Sequence, residues 1–203
     1  MKKYYFLLLP LLTLCSCVYS LYPISKMESE YIFREDFLGD WLDKEKDFHC
    51  RVDMTGNKKY LISVFGIMDS PGSRSSETKI DNSYFEAFLI QYSGQYYLDC
   101  SPAMEESLDS IGLYAASALL PLHKIYKVDI LSKDRLVIAG INIDSLEKYL
   151  STSGLTIKKD LMGQDNIILT DQPGKLQKVL LQNKKAKFIF SDSLDLTRKS
   201  HGK

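Results

Sequence analysis

From residue 48 onward the chain reads as a series of short strands. Phe48, Cys50, Val52 and Met54 alternate with His49, Arg51 and Asp53, the period-two pattern of a half-buried strand. A turn at Gly56-Asn57-Lys58-Lys59 leads to an apolar run over 60–67. Runs at 83–92 and 95–100 flank Ser93-Gly94, runs at 124–131 and 135–140 flank Ser132-Lys133-Asp134, and runs at 155–159 and 166–170 flank Met162-Gly163-Gln164-Asp165. These patterns predict eight strands in four sequential hairpins. Three stretches carry helical spacing instead. Leu108, Ile111, Ala115 and Leu119 mark a helix over 105–120, ended by Pro121. Asp144 and Glu147 have the spacing of a capping box for a helix that stops at Gly154. Asp171 and Pro173 open a last helix with Leu176, Val179 and Leu180 on one side. Hairpin order among eight antiparallel strands suits a closed barrel, which removes exposed edges, better than a sandwich. The expected fold is therefore mainly β: an eight-stranded antiparallel barrel with two or three short helices.

The opposite end of the hydrophobic scale lies at the N-terminus. Lys2 and Lys3 precede an uncharged run over 4–14, followed by Cys15-Ser16-Cys17. This is the layout of a secretory signal peptide, too short to span a bilayer permanently. Leu14-Cys15-Ser16-Cys17 resembles a bacterial lipobox, which implies cleavage after residue 16 and lipid on Cys17; Cys15, preceded by bulky Leu14, fits less well. The expected organisation is a signal peptide over 1–16, a lipidated N-terminus and tether over 17–37, a barrel domain over 38–198 and a disordered tail over 199–203. The tether starts apolar, Val18 to Ile24, and is expected to fold back onto the domain. Val18 after the cysteine does not resemble an inner-membrane retention signal, so the outer membrane is the expected location, the chain being held there through its N-terminal lipid.

Charge adds an exclusion. The chain has 26 basic and 26 acidic residues, and loss of Lys2 and Lys3 leaves the mature form slightly acidic. That is not the electrostatic footprint of a nucleic-acid binder. With Cys15 removed and Cys17 acylated, Cys50 and Cys100 remain. A secreted location permits a disulfide between them, but pairing needs Cα atoms within about 7 Å, and two buried thiols are the simpler expectation.

The domain opens with Leu38-Gly39-Asp40-Trp41. This Gly-x-Trp resembles the lipocalin and calycin opening, in which the tryptophan plugs the closed end of the barrel and an arginine from the end of the chain packs over it. The resemblance implies a lipocalin-like barrel with structural roles for Gly39, Trp41 and Arg198. Over nearly the whole mature chain there is also similarity to small lipoproteins of Gram-negative bacteria, in Leu21-Tyr22-Pro23, in Leu38 to Trp41, in Phe85-Glu86-Ala87-Phe88-Leu89, in Leu98-Asp99, in Pro121-Leu122-His123 and in Leu169-Thr170 with Leu176-Gln177. Those lipoproteins lend a fold and a location and no activity.

Catalytic chemistry is sparse. The three histidines, His49, His123 and His201, have no metal-ligand spacing, and there is no nucleophile elbow or phosphate-cradling loop. No catalytic residue, metal or cofactor is expected. His123 stands out because Pro121 redirects the chain there into a strand, at a barrel rim. Thirteen Tyr and nine Phe make the chain rich in aromatics. Tyr84, Phe88, Tyr97 and Tyr126 fall along strands and, with His123, are candidate ligand contacts, since tyrosine joins an apolar body to a polar tip. The expected role is a non-enzymatic envelope module contacting other envelope proteins, with a carrier or sensor of a small apolar or amphipathic ligand as the alternative.

Overall fold

A computed structural model of the chain describes residues 18–43, 45, 48–68, 79–103, 122–159 and 167–199. Cys17, the signal peptide, the expected helix over 105–120 and the tail beyond Lys199 lie outside these residues.

The architecture is a closed eight-stranded antiparallel barrel. Its strands are β3 (Gly39–Asp43), β4 (Phe48–Gly56), β5 (Lys59–Met68), β6 (Lys79–Tyr92), β7 (Gln95–Pro102), β8 (Lys124–Ser132), β9 (Arg135–Ile141) and β12 (Phe190–Arg198). Each pairs with its neighbour in the chain, β6 pairs with both β5 and β7, and β12 pairs with β9 and with β3 to close the ring. Two further N-terminal strands are β1 (Val18–Ser20) and β2 (Tyr31–Ile32), and β2 continues the edge of β5 along β6. The connection from β9 to β12 carries α1 (Ile143–Ser153), β10 (Ile157–Lys159), β11 (Ile167–Leu169) and α2 (Pro173–Leu176), which runs on as a π-helical stretch, Gln177–Leu181.

The barrel has the number of strands read from the sequence but not the same set. The apolar runs at 155–159 and 166–170 form β10 and β11, which pair with each other in a separate three-stranded sheet completed by β1. Their barrel places are taken by β3, inside the Gly-x-Trp opening, and by β12, at the chain's end. β12 alternates Leu194 and Leu196 with Asp195 and Thr197, but Asp192 shares the parity of the two leucines and breaks the apolar signal. The start of α1 also differs. Its N-cap is Asn142, whose side chain accepts the Ser145 N–H at 3.0 Å, while Gly154 ends it in the left-handed conformation at φ +67°. The β6–β7 hairpin turns on Ser93 and Gly94, both at positive φ, the backbone of a twist-matched two-residue turn.

Alternation along the strands creates two cores. Residues facing the lumen, among them Trp41, Cys50, Val52, Leu89, Leu98, Val128, Leu136 and Leu196, form the inner one. Outward-facing Ile90, Tyr97, Ile125 and Ala139 form the second with the insertion and the N-terminal segment, through Val18, Ile24, Leu146, Leu169, Leu176 and Leu180. Burying each such side chain contributes roughly 1.5–3 kcal/mol. Elsewhere the outer wall is charged, with ion pairs Arg51–Asp53, Lys59–Glu86, Lys127–Asp129 and Arg135–Asp195. An apolar lumen inside a charged wall inverts the pattern of membrane-spanning barrels, whose outward face is apolar.

One end of the barrel is closed by the segment that precedes β3. Phe37 and Trp41 are fully buried there, and the Trp41 indole donates to the Phe37 carbonyl at 3.0 Å. The Arg198 guanidinium lies over the Trp41 ring, 4.4 Å from its centroid. It donates to the carbonyls of Leu38 at 2.6 Å, Asp36 at 3.0 Å and Lys133 at 2.8 Å. Gly39 makes room for it: its φ is +122°, and a Cβ at this position would overlap Arg198 Nη1. Nearby, the Arg34 backbone N–H donates to the Tyr60 hydroxyl and its side chain to the Tyr96 hydroxyl, each at 2.7 Å, pinning the segment across the barrel base.

This closure yields a stability prediction. Gly39→Ala should cost about 2–3 kcal/mol through φ strain and overlap, and Arg198→Ala a similar amount through lost hydrogen bonds and ring contact. The double variant should lose less than the sum, because the added methyl no longer meets the guanidinium. Chemical denaturation of the four proteins measures this, and strictly additive losses would refute the coupling.

Candidate functional site: a cavity in the barrel

The inner core does not fill the lumen. A cavity of about 280 Å³ runs up from the closed end. Phe37 and Trp41 form its floor, Val52, Ile62, Leu98, Leu136 and Leu196 its lower wall, and Phe48, Val64, Phe85, Ile138 and Leu194 its upper wall. Polar side chains gather at the far end, Lys124 and Tyr126 on β8 and Asp192 on β12, with Gly140 of β9 between them. The short turns 57–58, 93–94 and 133–134 lie at the floor end, and the insertion leaves from the polar rim. An apolar concavity with a few polar groups at one end is the usual form of a small-ligand site. Its volume is roughly twice the ~150 Å³ of an engineered apolar cavity that binds benzene, so about a dozen carbon atoms would fit.

Cys50 and Cys100 both face this cavity, and both are free thiols. They are 3% and 6% exposed. Burial, with a smaller contribution from Asp40, pushes the Cys50 thiol up to about 12. Burial acts likewise on Cys100, aided by the Asp99 charge, and lifts it well above the ordinary thiol range. They serve the site as small apolar surface rather than as nucleophiles.

Of the aromatic and histidine candidates, Tyr126 lines the cavity. Tyr84 and Phe88 have the opposite parity to the cavity-lining Phe85 and lie on the outer face; Phe88 stacks on Tyr31 with centroids 4.3 Å apart. Tyr97 is buried in the outer core, 5.7 Å from the ring of Phe190. His123 lies outside the lumen too, where its Nδ1 is 2.6 Å from Asp99 Oδ1. Asp99 is 2% exposed on the outward face of β7, and its other oxygen accepts the Ile24 N–H at 2.6 Å. His123 also exchanges backbone hydrogen bonds with Ser20, at 2.8 and 2.9 Å. A buried carboxylate needs such partners, and here they are the N-terminal segment and the strand after Leu122. The pair works as a latch. Among the described residues no hydroxyl or thiol hydrogen-bonds to the His123 ring. No group of three or more His, Cys, Asp or Glu side chains is arranged to hold a metal among the described residues.

Three contributors escaped sequence reasoning. Lys124 and Asp192 are charged residues in phase with apolar neighbours, and that phase was their signal. Asp99 lies between Leu98 and Cys100 within a strand, a position aspartate disfavours. Compared with known proteins, the chain matches no family model, no curated protein and no solved structure.

Two outcomes follow from these contacts. Iodoacetamide at pH 8 should leave Cys50 unmodified in the folded protein, since a group titrating near 12 is thiolate in only about one molecule in ten thousand. Because folding holds the proton on the thiol, this stabilisation is complete below the unfolded pKa of about 8.5 and is lost as pH rises toward 12. Rapid labelling without denaturant, read by peptide mass spectrometry, would contradict it. Separately, Asp99→Ala should destabilise by about 3 kcal/mol. Amide exchange should rise at Ser20 and Ile24 before it rises in β3 and β12; unchanged protection at Ile24 would rule out the latch.

Proposed function

We propose that this chain is a lipid-anchored envelope protein, non-enzymatic, whose barrel carries or senses a small apolar or amphipathic ligand. The cavity of about 280 Å³ above Trp41 carries this reading, because a barrel evolved only as a scaffold would bury that apolar surface against itself. The anchor is the lipid expected on Cys17, held at the outer membrane. Stable anchoring needs two or more acyl chains.

The location of the anchor supports the pairing of the two features. Val18, directly after Cys17, begins β1, and the Tyr19 ring lies 5.1 Å from Lys124 Nζ at the cavity rim. Cys17 Cα is at most about 7–8 Å from that of Tyr19. A lipidated Cys17 would therefore hold the polar rim close to the bilayer, where apolar ligands concentrate. A protein-contacting role is the second reading, favoured by Phe188, which projects from the insertion 80% exposed.

Native mass spectrometry of the protein, taken from membranes in polymer discs without detergent, tests both halves of the reading. The expected result is a polypeptide beginning at Cys17 with covalent acyl mass, together with a separate mass released by organic solvent. Ile138→Phe, which fills the cavity, should abolish the second mass and keep the first. A bare cavity, or a mass that survives Ile138→Phe, would overturn the carrier reading; an unacylated chain would overturn the anchor.

A further inference from the structure

Resting on the carrier reading, we propose that the ligand is a single-chain aliphatic anion, its acidic head at Lys124 and its tail running down to Trp41. Lys124 is the one cationic residue among the described residues that line the cavity. Its position is inward-facing, in phase with Tyr126 and Val128, and its backbone lies opposite Cys100 on β7. No carboxylate of the described residues ion-pairs with it; its cationic contact is the Tyr19 ring, at 5.1 Å. A ring face stabilises an ammonium without neutralising it. The acidic group at the rim, Asp192, differs in that its Oδ1 already accepts the Asn142 amide at 3.0 Å, an amide that also caps the insertion's helix.

A lysine in that place is otherwise costly. An aliphatic residue would extend the inner core, whereas an ammonium at the end of an apolar shaft adds nothing to packing and must keep its solvation. It does complement a ligand with one charged end. Apart from Asp192, the described residues that line the shaft between Lys124 and the Trp41 floor carry no charge, so the rest of the ligand is hydrocarbon, and the volume sets its length at about a dozen carbons. Ammonium recognition of a carboxylate is a point-charge contact that tolerates several head geometries.

Trp41 is the chain's single tryptophan and lies at the cavity floor, so its fluorescence reports what reaches the bottom of the shaft. The test titrates the anchored protein in polymer discs with ω-bromododecanoate, ω-bromododecanol and ω-bromododecylamine, bromine being a contact quencher. The carboxylate should quench Trp41 at the lowest concentration, and its α-bromo isomer, with bromine beside the head, should bind and quench little. Lys124→Gln should weaken the carboxylate about tenfold or more and leave the alcohol unchanged. Equal binding of all three heads, or a carboxylate indifferent to Lys124→Gln, would overturn the anionic assignment and leave the carrier reading standing. Failure of every probe to quench Trp41 would sink both.

Discussion

A meander of strands becomes a barrel only if its first and last strands hold each other, and here that seam is narrow. β3 and β12 share just two registered pairs, Thr197 with Leu42 and Arg198 with Trp41. Beyond them the ladder gives way to single contacts: the Asp43 carboxylate accepts the Asp195 N–H at 3.1 Å, and the Lys199 N–H reaches the Asp40 carbonyl at 2.9 Å. Arg198 compensates by joining four parts of the chain at once. It touches the indole of β3, two carbonyls of the preceding segment and the β8–β9 turn. A guanidinium suits this role because its planar fork can stack on a ring and donate along several directions together.

The same closure defines the cavity. Trp41 and Phe37 seal the base, and the unfilled space extends from them up to the rim. There the chain spends its irregular length, with the insertion covering the outside of β6 to β9. That cover explains the apolar outward positions Ile90, Tyr97, Ile125 and Ala139, while outward positions beyond it carry ion pairs such as Arg51–Asp53 and Lys127–Asp129. It also explains the buried Asp99. A carboxylate that binds the Ile24 N–H and His123 fixes the N-terminal segment between wall and insertion, which brings the Tyr19 ring to Lys124 at the rim. The reading as an anchored carrier rests on that proximity together with the empty apolar volume.

Much of this was legible in the chain. Strict alternation at 48–54, Ser93-Gly94 between two apolar runs, and Gly154 after a helical stretch each specify a local conformation through short-range sterics and periodicity, and each element formed where its pattern lay. The Gly39, Trp41 and Arg198 set was legible through resemblance, not through any local rule. The candidate ligand contacts were harder to read. Tyr84, Phe88 and Tyr126 are alike in type and setting, and only strand parity against the barrel's interior separates Tyr126 from the other two.

What the sequence determined by itself, then, was a mainly β chain of hairpins, a leading segment with the layout of a signal peptide, and an absence of metal-ligand spacing. These depend on neighbours along the chain. Tertiary structure decided which eight strands close the ring, that β10 and β11 leave it, and that the lumen keeps a cavity with Lys124 at its rim. Closure joins residues at opposite ends of the chain, Trp41 to Arg198, and the volume left inside depends on all eight strands at once. No local pattern encodes either quantity, because both belong to the ring and not to any segment of it.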